Sequence, residues 1–164
     1  MAYRSQALDA EAHDVTGFSC GVPSLDSWLR EQAGPAAARR TARTWVWVDA
    51  AGRVVGYYTL AAHKVARDDV PRAVGRGGPS EIPAVLLARL ALTYSLRGQG
   101  LGELLVADAL ARVIDATRTV GARVVVVDAL HDSVAGFYER LGFRRVPGSL
   151  VLVQKIADIE AALA

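Results

Sequence analysis

Arg97-Gly98-Gln99-Gly100-Leu101-Gly102 stands between two segments of different periodicity. Before it, Val85 to Thr93 is almost continuously apolar, the pattern of a central strand buried on both faces. After it, Leu101, Leu104, Leu105, Ala109 and Val113 recur at helical spacing, which predicts a long helix from Gly100 to Val120 with Gly121 as its C-terminal cap. Glycines between a strand and a helix let the backbone turn tightly and bring several N–H groups to face one point. The positive end of the helix dipole adds to that anion site, and a diphosphate fits it. The stretch lacks the Gly-Lys-Ser/Thr of a P-loop and the Gly-x-Gly-x-x-Gly spacing of a dinucleotide fold, so a glycine-rich turn without a ligand is the competing explanation.

The flanking segments extend the pattern. Val124 to Val127 reads as a short buried strand, Ser133 to Leu141 as a helix stopped by Gly142, and Ser149 to Lys155 as a final alternating strand. Upstream, Pro23 to Arg30 reads as a helix capped by Ser24, burying Leu25, Trp28 and Leu29. Thr41 to Val48 and Val54 to Ala61 form a hairpin around Asp49-Ala50-Ala51-Gly52, and Val74 to Ser80 reads as an irregular surface loop. A hairpin followed by strand, long helix, strand, helix and strand predicts an α/β fold with one mixed central sheet flanked by helices.

With 164 residues, 52% apolar and 22% charged, the chain buries a real core, and residues 1–164 are expected to form a single domain. Disorder is excluded as the main state. A single cysteine, Cys20, excludes an intramolecular disulfide, and His13, His63 and His131 are too scattered for a metal cluster. The apolar runs are too short to span a bilayer and Met1-Ala2-Tyr3-Arg4 is not a signal-peptide start, so a cytoplasmic protein without membrane attachment is expected. Net charge is only +2, yet residues 30–76 hold nine basic and four acidic side chains. That local surface suits an anionic partner, against the commoner explanation of scattered solvated arginines.

Arg97, Gly100 and Gly102 fit the Arg/Gln-x-x-Gly-x-Gly/Ala signature of the GCN5-related N-acetyltransferases, the GNAT family, and Phe137-Tyr138-Glu139-Arg140-Leu141-Gly142-Phe143 resembles that family's Tyr-x-x-x-Gly-Phe element. From Phe18 to Leu152 the chain further resembles the GNAT-type toxins of bacterial toxin-antitoxin modules, through Phe18-Ser19-Cys20-Gly21, Leu25 to Leu29, Val54 to Leu60, Ile82-Pro83 and Leu86 to Ala91. The resemblance implies a GNAT fold with acyl-CoA bound at a strand splay, and acetyl-CoA as co-substrate without a metal. In that picture Leu90, Ala91 and Leu92 pair with pantetheine through their backbone, and Arg97, Gly98, Gln99, Gly100, Leu101 and Gly102 hold the diphosphate. It also implies acetylation of the α-amino group of aminoacyl-tRNA, a block of translation, and neutralisation by a ribbon-helix-helix antitoxin. His131 stands where many GNAT enzymes have an Asn, and Thr93-Tyr94 replaces an Asp-containing strand end.

On the same resemblance Tyr138 points at the sulfur as catalytic proton donor, since a phenol with a reference pKa of about 10 stays protonated at neutral pH. The competing role is packing beside Phe137. No general base stands out. His131 is a candidate that also reads as a surface loop residue, and Cys20 reads as a small packing residue. Trp28, Trp45 and Trp47 are assigned to core or interface packing, although base stacking is the functional alternative. Arg39, Arg40 and Arg43 are the candidate contacts to tRNA phosphates, with a solvated turn as the alternative. Two other functions remain open at this stage: acetylation of a small-molecule amine or protein N-terminus, and a catalytically silent acyl-CoA-binding module. A homodimer is among the assemblies left open.

Overall fold

The computed structural model describes residues 3–164; Met1 and Ala2, part of the N-terminus read above, lie outside the described residues. In chain order the elements are β1 (Gln6–Ala7), α1 (Pro23–Glu31), α2 (Ala33–Ala38), β2 (Arg43–Val48), β3 (Val54–Ala66), α3 (Arg72–Gly75), β4 (Glu81–Leu92), α4 (Leu101–Ala116), β5 (Val124–Asp128), α5 (Asp132–Arg140), β6 (Arg144–Arg145), β7 (Val151–Lys155) and α6 (Ile156–Leu163). The strands hydrogen-bond in the order β1-β2-β3-β4-β5-β7-β6. β4 and β5 run parallel, whereas β1–β2, β2–β3, β5–β7 and β6–β7 are antiparallel. The mixed sheet expected from the alternation of apolar segments is therefore present.

The chain packs as two compact units. The first comprises Met1–Ala61 and Ala88–Ala109. Its hairpin pairs Arg43↔Leu60 through Val48↔Val54 with a bulge at Trp47/Val48, and the Asp49 carboxylate accepts the N–H groups of Ala51 and Arg53 across the turn. Phe18, Cys20, Leu29, Val46, Tyr57 and Ala91 form its core. A carboxylate on α4, Asp108, accepts hydrogen bonds from Ser5 Oγ at 2.6 Å, Trp47 Nε1 at 2.8 Å and Tyr58 Oη at 3.0 Å, tying the N-terminal segment, β2 and β3 to that helix. α1 starts two residues earlier than a Ser24 cap requires. Val22 occupies the cap position and Pro23, whose fixed φ suits the first helical residue, leads the helix, leaving Ser24 inside it.

The second unit comprises Ala62–Leu87 and Leu110–Ala164. β4 and β5 pair from Ala84↔Val124 to Leu87↔Val127, and β7 covers the other edge of β5. All four valines of β5 are buried, as a strand flanked on both sides and both faces requires. The segment read as an irregular loop contains α3, whose Val74 is 2% exposed and packs with Ile82, Ala84, Val124, Val126 and Val153. α4 ends at Ala116 and not at Val120. Thr117 donates its hydroxyl to the Ile114 carbonyl, and Gly121 does not take the left-handed conformation of a cap. α6, not foreseen in the sequence, buries Ile156 and Ile159.

Candidate active site

In the first unit, the end of β4 is fixed to its surroundings by the Thr93 N–H on the Val55 carbonyl and the Tyr94 N–H on the Ser19 carbonyl. A single 3-10 turn at Tyr94–Leu96 then leads into the glycine stretch, where Gly98 and Gly100 take φ of +76° and +74°. These are left-handed conformations that a side chain disfavours. They turn the chain into α4, whose first residue is Leu101, and leave the N–H groups of Gly98, Gln99 and Gly100 outside the backbone hydrogen bonding of the described residues. Those donors precede the first turn of a 16-residue helix, an arrangement chemically suited to an anion.

Arg97 holds this loop from one side. Its Nη2 donates to the Cys20 carbonyl and its guanidinium lies 5.4 Å from the Tyr94 ring centroid, so it braces the loop against the Cys20–Gly21 corner. Gly21, at φ +91°, belongs to the same brace, since a Cβ there would lie 3.6 Å from the Tyr94 ring. Leu90, Ala91 and Leu92 lie beyond Leu87, the last β4 residue in register with β5. Ala91 and Leu92 have buried side chains.

In the second unit, Tyr138 sits on α5 and is 5% exposed. The reason for its motif is visible in the helix end. The Gly142 N–H bonds the Glu139 carbonyl, the Phe143 N–H bonds the Tyr138 carbonyl, and Gly142 is left-handed at φ +99°, which is a Schellman termination. Its hydrophobic contact is the edge-on packing of Tyr138 against Phe143 at 5.5 Å, with Phe137 on another side at 5.2 Å. A Cβ at Gly142 would also come within 2.8 Å of Gln154 Nε2. Burial pushes the Tyr138 phenol far above its ordinary value and keeps it a neutral donor. Arg145 clamps the same helix at both ends, through Asp132 at 2.8 Å and Glu139 at 3.1 Å. His131 is exposed at the head of α5, with Nδ1 and Ser133 Oγ 2.7 Å apart.

The acetyltransferase (GNAT) domain profile matches residues 40–145, a span that includes both the loop with left-handed glycines before α4 and the buried tyrosine terminated by Gly-Phe. The chain belongs to the GNAT acetyltransferase family. A tRNA-acetylating toxin of Mycobacterium tuberculosis is 41% identical over 145 residues, covering 88% of this chain and 87% of the relative. Among solved structures, AtaT complexed with acetyl-methionyl-tRNAfMet superposes with a TM-score of 0.89 at 28% identity, covering 99% of this chain and 100% of that one. A Tyr-to-Phe mutant of the AtaT toxin bound to the C-terminus of the antitoxin AtaR and acetyl-CoA gives 0.83 at 28% identity, covering 99% and 98%.

The remaining sites are read on the GNAT scaffold. Arg39, Arg40 and Arg43 are exposed and, among the described residues, have no acidic partner. Arg40 is unusual because it occupies the left-handed position, φ +61°, of a second Schellman motif that ends α2: its N–H bonds the Ala37 carbonyl and the Thr41 N–H bonds the Ala36 carbonyl. Glycine is favoured at that position, so arginine there carries backbone strain. Cys20 is 1% exposed, directs Sγ at the Val22 carbonyl, and burial raises its thiol pKa; it packs and does not act as a nucleophile. Trp47 is a core residue anchored on Asp108, whereas Trp28 is half-buried under Arg89, a contact that sequence spacing did not reveal. Among the described residues no three His, Cys, Asp or Glu side chains gather as metal ligands, and no helix is long and apolar enough to cross a membrane.

Proposed function

We propose that this chain is an acetyl-CoA-dependent N-acetyltransferase that acetylates the α-amino group of aminoacyl-tRNA, acting in the cytoplasm as a toxin held in check by an antitoxin. The observation that carries this reading is the 41% identity, over 88% of the chain, to a relative named for acetylating tRNA. The fold match to AtaT structures with acetyl-methionyl-tRNAfMet, and with acetyl-CoA and AtaR, supports both substrates and the antitoxin. Residues 1–164 act as one catalytic domain in this proposal.

The chemistry follows from named groups. Gly98 to Gly102 hold the donor's diphosphate through backbone N–H groups and the dipole end of α4, and Arg97 keeps that loop in shape. The backbone of Leu90 to Leu92, beyond the β5 register, pairs with the pantetheine arm and polarises the thioester carbonyl. The amine nitrogen forms the new bond to the carbonyl carbon as the C–S bond breaks, and Tyr138 gives its phenolic proton to the departing thiolate. The amine needs no side-chain base: an α-amino group titrates at about 7.7 to 8.0, so a good fraction is neutral near physiological pH, and water takes the proton lost after attack and returns one to the Tyr138 phenolate.

The test is incubation with acetyl-CoA and total charged tRNA, followed by mass spectrometry of the aminoacyl-adenosines released by nuclease. Acetylated aminoacyl-adenosine is the expected product. Thiol release with small amines only would redirect the enzyme to another acceptor, and acetyl-CoA binding without thiol release for any acceptor would make it a silent module.

A further inference from the structure

Several arginines of this chain spend their guanidinium on the backbone. Arg30 donates to the Phe18 carbonyl, Arg67 to the Gly78 carbonyl, Arg97 to the Cys20 carbonyl and Arg123 to the Arg76 carbonyl, so each of these guanidinium groups has a backbone partner. Arg89 differs. It is half-buried on β4, and among the described residues it has no ion pair and no hydrogen bond. Its guanidinium carbon lies 4.2 Å from the centroid of the Trp28 ring.

That ring is a built platform. Trp28 lies nearly parallel to Tyr57, at 11° and 6.3 Å between centroids, and Tyr57 is fully buried with its hydroxyl donated to the Leu25 carbonyl at 2.8 Å. α1, which carries Trp28, is tied down by the buried Asp26 carboxylate on the Cys20 N–H at 3.0 Å and by Arg30 on Phe18. The layers Tyr57, Trp28 and Arg89 therefore hold one planar cation on a rigid aromatic surface. A half-desolvated guanidinium without a counter-ion is costly, and one held over an indole without a hydrogen bond among the described residues has N–H donors to offer a bidentate acceptor such as a phosphate.

Its place on the strand chooses the partner. Alternation along β4 puts Arg89 on the same face as Ala91, which packs in the core with Phe18, Leu29 and Tyr57, beneath α1. Leu92 points the other way, its Cδ1 and the Leu105 side chain of α4 both bordering Gly56. The glycine loop stands at the N-terminus of α4, so the Arg89 cation faces away from the helix that serves the donor. It stands one residue before Leu90 to Leu92, the segment to which the amine must come. In an aminoacylated RNA the nearest anion to the ester is the phosphodiester one ribose away, on the 5′ side of the terminal adenosine.

We propose that Arg89, held over the Trp28 ring, binds that terminal phosphodiester of the acceptor RNA and so places the aminoacyl end at the thioester. This rests on the proposed tRNA acceptor. The experiment compares the full-length wild type with Arg89→Met, which keeps an unbranched stem against Trp28 and removes the charge, and Arg89→Lys, which keeps the charge and loses the fork. Each is assayed on charged tRNA over a range of salt and on the methyl ester of the same amino acid, which has no phosphate, with acetyl-CoA affinity measured by calorimetry. The expected result is a rise in KM for charged tRNA of about 10- to 100-fold in Arg89→Met, partly recovered in Arg89→Lys, and a salt slope shallower by about one unit. The loss on the methyl ester is much smaller, and acetyl-CoA affinity is retained. Equal losses on tRNA and methyl ester, an unchanged tRNA KM and slope, or weakened acetyl-CoA binding would each overturn the assignment to Arg89 while leaving the tRNA reading standing. A wild-type enzyme that acetylates the methyl ester and no charged tRNA would overturn both.

Discussion

Alanine in place of Gly98 or Gly100 isolates the conformational demand of the donor loop. Their φ values are +76° and +74°, and a Cβ at either position would meet no atom within 4 Å, so the added methyl has space and the penalty is purely one of backbone conformation. For an L-residue that penalty is about 1–2 kcal/mol. If the loop keeps its shape, the cost falls on folding, and thermal unfolding without ligand drops by about 2–4 °C per kcal/mol for a chain of this size. If it relaxes into an ordinary conformation, the N–H groups no longer converge and the same energy is lost from binding, about 5- to 30-fold in acetyl-CoA affinity. Thermal unfolding of the free protein and calorimetric titration with acetyl-CoA, read together, account for the whole. Gly34→Ala on α2 is the control: a Cβ there also meets nothing, but its φ is not left-handed, so alanine stabilises by up to about 1 kcal/mol and leaves acetyl-CoA binding alone. If Gly100→Ala behaved like Gly34→Ala in both measurements, the left-handed loop would have no part in holding the donor.

Tyr138→Phe keeps the ring contacts with Phe137 and Phe143, so its thermal stability is retained while kcat falls by about 10²- to 10⁴-fold at unchanged acetyl-CoA affinity; an unaltered kcat removes the phenol from the mechanism. Replacing Arg39, Arg40 and Arg43 together with alanine flattens the salt dependence of tRNA acetylation by about one unit per lost phosphate contact, and parallel curves for both proteins would mark them as a solvated turn. Arg40→Gly relieves the left-handed strain at φ +61° and raises the unfolding temperature, whereas weaker tRNA acetylation in the same variant would mark the strain as retained for the side chain. Burial raises the phenol pKa of both Tyr57 and Tyr138, so the folded chain keeps them neutral after the unfolded chain has begun to ionise. Stability from this source is complete below about pH 10 and declines as pH climbs above it towards the folded values; a denaturation midpoint that held constant through that rise would refute it.

What could be read from the sequence was chemistry confined to one turn of chain. Gly98 and Gly100 announce left-handed backbone before a helix. Tyr138, Gly142 and Phe143 are a helix termination whose spacing is set by its own hydrogen bonds, so both motifs carry their structure with them. Boundaries were less legible where a side chain competes with the helix backbone, as Thr117 does after α4, or where short helices depend on packing, as α3 does through Val74. The left-handed turn at Arg40 was hidden because the residue that betrays such a turn is glycine, and arginine stands there instead. Arg89 and Arg97 mark the limit most sharply. They lie in one strand-to-loop segment, and although Arg97 opens the glycine signature, nothing local shows what either guanidinium meets. Arg97 meets the Cys20 carbonyl, 77 positions away, and becomes a brace. Arg89 lies over the ring of Trp28 and, among the described residues, makes no hydrogen bond. Which arginine braces a loop and which rests over an aromatic ring is thus set by what the fold delivers from α1 and the segment before it. A motif that runs along β4 and its loop cannot encode that.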